Sequence, residues 1–362
     1  MTSDTASVVS DMASSVSSDS SIPTHRQLTY MAELNDKLIE KRGVCDSTAK
    51  QTIACLTRVN GGKGFTNLSF LADVAAVQKY VMEGRSEKSQ STLYGHIVSA
   101  LDTIESVRYK KPLEMYRALM KGAVDVVIAE KKERGAGLTA KEAAVWMSWP
   151  DILTHYEKLE KEVDTILKKS ADITALDYAK VMDHMVLSLY TQMAPRRNKD
   201  YSCMFVTRKA PGDDKAKNYY VMDEGKMYFN AYKTLKTHGQ QVVDVPKKVQ
   251  VVIERFLKLT GSYRRSRGRA PLMPLICSYD GAHMEVANAM TKILNRAFGK
   301  KVSCNIIRHS YVSGLYSPAV VGMVQSSKDM GHSVKMHLDY YRDSAAAVGG
   351  AGTDIGPVID LD

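Results

Sequence analysis

Residues 304–343 read CNIIRHSYVSGLYSPAVVGMVQSSKDMGHSVKMHLDYYRD. The stretch carries an Arg-His pair (Arg308, His309), a Gly-His step (Gly331, His332) and a tyrosine doublet (Tyr340, Tyr341). Aliphatic and small residues fill the gaps at helix-like intervals, which predicts short helices that bring one cation, one imidazole and one phenol together. An arginine grips a phosphate through two parallel charge-assisted hydrogen bonds. A phenol can attack phosphorus, and an imidazole can donate to a phosphoryl oxygen. The chemistry that asks for all three is that of a phosphodiester.

Upstream, residues 194–206 read APRRNKDYSCMFV. A helix is expected to end at Pro195, which leaves Arg196 and Arg197 at its exit, followed by Asp200 and an apolar strand. Alone, this pair would be two exposed arginines on a turn. The segments YSCMFV, NYYVMD, KMYFNAYKT and QQVVDVP come next. Their aromatic and β-branched residues alternate with period two, as in a small antiparallel sheet. Between the last two, LKTHG reads as a hairpin turn, with Lys233 and Lys236 close to it.

Taken in order, these motifs resemble those of the tyrosine recombinases, also called the phage-integrase family. That family carries an arginine trailed three positions later by a carboxylate, a lysine on a β-hairpin, His-x-x-Arg, Gly-His, and a nucleophilic tyrosine nine residues beyond that histidine. Arg197 and Asp200 have the first spacing, and Tyr341 lies nine residues after His332. The resemblance therefore implies Arg197, Lys233, Arg308, His332 and Tyr341 as catalytic residues. Arg196, Lys236 and Tyr340 are the alternatives at their positions. Asn305 stands where the family has the histidine of His-x-x-Arg. Asparagine can donate to phosphate but carries no charge and shuttles no proton. The implied fold is mainly α with a small antiparallel β-sheet: a helical N-terminal core-binding domain followed by an α+β catalytic domain.

The composition agrees with such a partner. Hydrophobic residues make up 44% and charged residues 25%, ordinary values for a globular chain. The net charge of +10 favours a polyanion without telling DNA from RNA or an acidic membrane. Five scattered cysteines (Cys45, Cys55, Cys203, Cys277, Cys304) form no Cys-x-x-Cys pair. They argue for reduced thiols in an intracellular setting, against a disulfide framework and against a structural zinc site. No apolar run has the length of a membrane span, and no secretory region is expected.

Five segments are expected along the chain. Residues 1–22, rich in Ser, form a disordered tail. Residues 23–130 form the helical domain: Leu28, Met31, Leu34 and Leu38 repeat at helical steps, Gly43 suits a helix end, and Ser47 is a candidate N-cap. The Gly61–Gly64 stretch lacks a Gly-Lys-Ser/Thr ending and reads as a plain loop. Lys88, Ser91 and Thr92 crowd the start of a helix that buries Leu93, Ile97 and Leu101, and in a phosphodiester-handling protein they become DNA contacts. Residues 131–145 are a linker, 146–343 the catalytic domain and 344–362 a flexible tail. In the catalytic domain Val181, Met185 and Leu189 share a face that reads as core. Arg264, Arg265, Arg267 and Arg269 form a basic loop suited to backbone phosphates or to a localisation signal. His96, His155, His184 and His309 read as core, surface or supporting residues.

The resemblance implies a site-specific recombinase or integrase that cuts and rejoins double-stranded DNA through a 3′-phosphotyrosyl bond, as a homotetramer on paired sites. It implies no cofactor and no metal, and DNA association inside the cell (in the nucleus of a eukaryote). The alternatives are a type IB-like topoisomerase and a domesticated DNA-binding protein without catalysis.

Overall fold

The computed structural model describes residues 22–135, 137–169, 173–209, 216–266, 273–279, 281–284, 287–331 and 333–340. The tails expected at 1–22 and 344–362 fall outside them except for Ile22. The chain divides into two compact units between Gly137 and Leu138.

The first unit is helical: α1 (His25–Arg42), α2 (Asp46–Val59), α3 (Val74–Met82), α4 (Glu87–Ile104) and α5 (Lys110–Arg134), with 3-10 turns at Ser69–Leu71 and Val107–Tyr109. Thr24 and Gln27 form a reciprocal capping box at the start of α1, and Gly43, at φ 62°, ends it. Helix α2 starts earlier than a Ser47 cap would allow. The Cys45 carbonyl already accepts from the amides of Thr48 and Ala49, so Ser47 lies in the first turn. Leu34, Leu38, Ile53, Leu56, Ile97 and Leu101 meet in one core around Tyr116, whose hydroxyl donates to the Leu71 carbonyl at 2.9 Å. Each such aliphatic side chain contributes about 1.5–3 kcal/mol on burial.

The second unit contains α6 (Ala140–Val145), α7 (Trp149–Lys169), α8 (Ala175–Thr191), α9 (Asn198–Ser202), α10 (Leu235–His238), α11 (Lys247–Ser266), α12 (Ala287–Phe298), α13 (Cys304–Asp329) and α14 (Val334–Tyr340). Its strands are β1 (Met204–Thr207), β2 (Asn218–Val221), β3 (Lys226–Phe229), β4 (Gln241–Asp244) and β5 (Met273–Pro274). The expected linker is mostly helical. Residues 131–134 complete α5, and Thr139 with Glu142 forms a capping box that starts α6. Helix α8 is the centre of the core. It ends at Thr191, before Pro195, and every residue from Val181 to Thr191 is buried, where a single core face had been expected. It packs against α7, α11 and α12. A two-pronged ion pair, Arg296 Nε to Asp183 Oδ1 at 3.0 Å and Oδ2 at 2.9 Å, ties α12 to it.

The sheet is mixed, with strand order β4-β3-β2-β1-β5. β1 runs parallel to β2 with Phe205 opposite Tyr219, whereas the other pairs are antiparallel. Alternation reports which side chains are inward, not strand direction, and all four residues of β2 are buried. Two other local expectations change. The C-terminal motif begins in one helix of 26 residues, α13, rather than in short ones. Arg264 and Arg265 lie on the helical backbone of α11, because the chain tolerates Gly261 within a helix and meets no proline before Pro271. Arg267 and Arg269 lie outside the described residues.

Candidate active site and nucleic-acid interface

Three separated segments of the second unit line one cavity of about 300 Å³: Met193–Arg197 with Asp200, the β3–β4 region (Tyr232, Thr234, His238, Gln241 and Val243), and Arg308. The segment after α8 is anchored from below. Buried Tyr190 donates to Asn198 Oδ1 at 2.8 Å, and Asn198 Nδ2 reaches Thr291 Oγ1 at 3.0 Å. The Tyr201 hydroxyl donates to the Leu189 carbonyl at 3.2 Å. These contacts hold α9 against α8 and α12, with Arg197 in extended backbone at its N-cap.

The two arginines divide their roles. Arg196 Nε donates to Asp200 Oδ2 at 3.1 Å and Nη1 to Gln241 Oε1 at 2.8 Å, while its guanidinium lies 3.8 Å from the centre of the Phe229 ring. Burial pushes the Asp200 carboxyl above its ordinary range, and the charges of Arg196 and Arg197 pull against that shift. The sequence pairs Asp200 with Arg197 by spacing, but the side chain it binds is Arg196. The Arg197 guanidinium has no hydrogen-bond acceptor or ion-pair partner among the described residues, and neither has that of Arg308.

Arg308 is positioned by α13. Ser303 caps the helix by accepting from the Ile306 amide, and Ile306 and Ile307 enter the core. One turn on, Ser310 donates to the Met147 carbonyl, and Tyr311 meets Trp149 edge-on with ring centres 5.1 Å apart. A Cβ added at Gly314 would stand 2.4 Å from Trp149 Cβ, so glycine permits α13 to lie this close to α7. Asn305 is exposed and does not line the cavity, and His309 is exposed rather than packed.

The lysines fall elsewhere. β3 ends at Phe229, so Lys233 lies beyond the strand, and LKTHG forms the helical turn α10 instead of a tight hairpin turn. Lys233 and Lys236 are exposed and outside the cavity lining, to which the same connection contributes His238. His238 belongs to none of the sequence motifs. The Thr234–His238 spacing before Gly239 was the available signal for a helical turn with both on one face. His332 and Tyr341 lie outside the described residues. Tyr340 lies on α14. Three other histidines support the core or its edge: His96 Nδ1 lies 2.9 Å from Thr52 Oγ1, His155 bonds the Ala297 carbonyl, and His184 stacks on Tyr156.

The first unit has its own basic cleft of about 480 Å³, lined by Arg58, Tyr80, Arg85, Lys88, Ser89, Thr92 and Leu93. Arg85 is fixed there, with its guanidinium 4.4 Å from the Tyr80 ring centre and a bond to the Glu83 carbonyl at 3.1 Å. Ser91 lies outside this lining and turns its hydroxyl to the Lys88 carbonyl at 3.0 Å. Arg58 and Arg85 are additions to the sequence reading, brought beside Lys88 by folding. Among the described residues no group of three or more His, Cys, Asp or Glu side chains could hold a metal, and no helix is long and apolar enough to cross a membrane. No family model, curated protein or solved structure matches the chain.

Proposed function

We propose that the chain is a DNA strand transferase of the tyrosine-recombinase type, a site-specific recombinase or integrase that works on double-stranded DNA. The observation that carries this reading is the cavity in which Arg197 and Arg308, distant in sequence, face the same space without an acceptor among the described residues while Arg196 is held beside them. A phosphodiester attacked by oxygen gains a second negative charge in its five-coordinate transition state. Two guanidiniums with no acceptor among the described residues are suited to that charge, and losing one such donor costs about 10²–10³-fold in rate. In this reading the phenol of Tyr341 attacks the scissile phosphate, a 3′-phosphotyrosyl bond forms and a 5′-hydroxyl leaves. His332 adds a hydrogen bond to a non-bridging oxygen. Attack by a different 5′-hydroxyl reverses the link and exchanges strands, with a homotetramer bringing two duplexes together. The cleft lined by Lys88 and Thr92 takes backbone phosphates, as do the arginines from Arg264 to Arg269.

The test is covalent trapping on a nicked suicide duplex carrying the target site, found by selection from the DNA flanking the gene. Wild type is expected to form an adduct resistant to denaturation, and Tyr341→Phe to form none. A wild type that binds this duplex but never links to it would make the protein a DNA-binding module. Relaxation of supercoils by a monomer, without exchange between sites, would make it a topoisomerase.

A further inference from the structure

We propose that His238, rather than a lysine, is the general acid that protonates the 5′-oxygen as it leaves; this rests on the strand-transferase reading above. Five side chains with ionic or proton-transfer chemistry share the cavity with it or close it off: Arg196, Arg197, Arg308, Asp200 and Tyr232, whose hydroxyl is already committed to the Gly239 carbonyl at 2.6 Å. An arginine does not release its proton in a protein, whereas an imidazole exchanges one near neutral pH. Asp200 is buried and bound to Arg196. The His238 imidazole has no hydrogen-bond or ion-pair partner among the described residues, so it is free to meet a leaving group.

The backbone explains why histidine, and neither lysine, reaches this space. Thr234 and His238 stand four residues apart across the turn of α10, share a face, and both line the cavity. Lys236 is two residues from His238, on the other side of the turn, and does not line the cavity, whereas His238, although exposed like it, does. Lys233 does not line the cavity either, although the residues on both sides of it, Tyr232 and Thr234, do. The connection is clamped at both ends. Asn218 Oδ1 accepts from the amides of Asn230 at 2.8 Å and Ala231 at 2.7 Å, and the Tyr232 hydroxyl donates to the Gly239 carbonyl at 2.6 Å. The Gly239 amide closes the turn onto the Leu235 carbonyl at 2.8 Å. A swing that exchanged Lys236 for His238 would have to break these bonds.

The step balances as follows. The Tyr341 oxygen forms its bond to phosphorus and gives its proton to solvent, while the bond from phosphorus to the 5′-oxygen breaks. That oxygen takes a proton from the His238 imidazolium, which is left neutral and recovers a proton from solvent.

Single-turnover cleavage of two duplexes tests the assignment, one with an ordinary scissile phosphodiester and one with sulfur at the bridging 5′ position. A thiolate leaves without protonation, so the sulfur substrate bypasses any general acid. His238→Gln is expected to cleave the oxygen substrate about 10²–10⁴-fold more slowly than wild type and to recover to within about tenfold on the sulfur substrate. Lys233→Ala and Lys236→Ala are expected to stay within about threefold of wild type on the oxygen substrate. Equal loss by His238→Gln on both substrates would reduce the histidine to a positioning role and overturn the proposal. So would an unaffected His238→Gln, or sulfur rescue of a lysine variant instead. A wild type that cleaves neither substrate would overturn the strand-transferase reading itself, and this assignment with it.

Discussion

Adjacent arginines at one cavity are expected to fail in opposite ways when removed. Arg196→Ala deletes a guanidinium whose side chain is 18% exposed and whose partner Asp200 is 3% exposed. It leaves Asp200 buried without its cation, removes the bond to Gln241 and bares a face of Phe229. Breaking a buried ion pair from one side costs about 3–5 kcal/mol, and the partial exposure of Arg196 sets the expectation at the lower end, about 3. A unit of this size loses about 2–4 °C of Tm per kcal/mol, so the melt should fall by roughly 6–12 °C. The deficit should also depend on pH. Burial already raises the Asp200 carboxyl in the folded chain, and loss of Arg196 raises it further. A carboxyl raised on folding contributes stability at acid pH that is lost as pH climbs through its folded value. The gap between Arg196→Ala and wild type should therefore narrow from pH 7 towards pH 5. Arg197→Ala and Arg308→Ala break no hydrogen bond or ion pair of the described residues and should cost far less stability than Arg196→Ala, while each slows cleavage by about 10²–10³-fold. Urea titrations across pH, paired with single-turnover cleavage, separate the two behaviours. An Arg197→Ala as unstable as Arg196→Ala, or an Arg196→Ala that melts like wild type, would refute the division between strut and ligand.

Two further outcomes follow from groups away from the cavity. His184 is buried with its Nε2 unbonded, and desolvation lowers it from 6.5 to about 4 despite Glu160 nearby. Its contribution is complete above pH 6.5 and lost as pH falls towards 4. At about 1.4 kcal/mol per unit this amounts to roughly 3 kcal/mol. His184→Phe should flatten denaturation midpoints over that window, and an unchanged slope would assign acid sensitivity elsewhere. In the first unit, Lys88→Ala should weaken non-specific DNA binding and reduce the slope of log K against log salt by about 0.9, one phosphate contact, in fluorescence anisotropy titrations. Ser91→Ala should match wild type, and equal effects from the two would remove the cleft as the contact surface.

The helices were legible where one face and one end speak together. Leu34 and Leu38 repeat on α1, and Gly43 takes the left-handed conformation that ends it, whereas the Thr24–Gln27 capping box at its start emerges from the structure. α8 was legible as a helix but not as the centre of the unit, because three of its polar residues are satisfied inside: Ser188 and Thr191 bond carbonyls of their own helix, and Asp183 meets Arg296 more than a hundred residues away. Strand direction was not legible, since period-two patterning is the same for parallel and antiparallel partners. Nor could spacing alone tell Arg196 from Arg197. The choice is made by Gln241 and Phe229, whose approach depends on the β3–β4 connection.

That connection is also where the cavity acquires its shape. Arg196 bridges the segment after α8 to Gln241 on β4, and the Tyr232 ring lies 5.1 Å from the same guanidinium. The anchored arginine therefore holds the wall that carries Thr234 and His238 against the floor that carries Arg197. Two guanidiniums that line one cavity without acceptors among the described residues repel each other, and soft supports would let them drift apart. The supports are stiff in different ways: Asn198 is bonded on both sides beneath Arg197, and Trp149 packs against Gly314 along the helix that carries Arg308. An anion arriving between Arg197 and Arg308 would relieve their repulsion without having to pay for their alignment, which is the condition for using charge to stabilise a transition state rather than to reorganise a site.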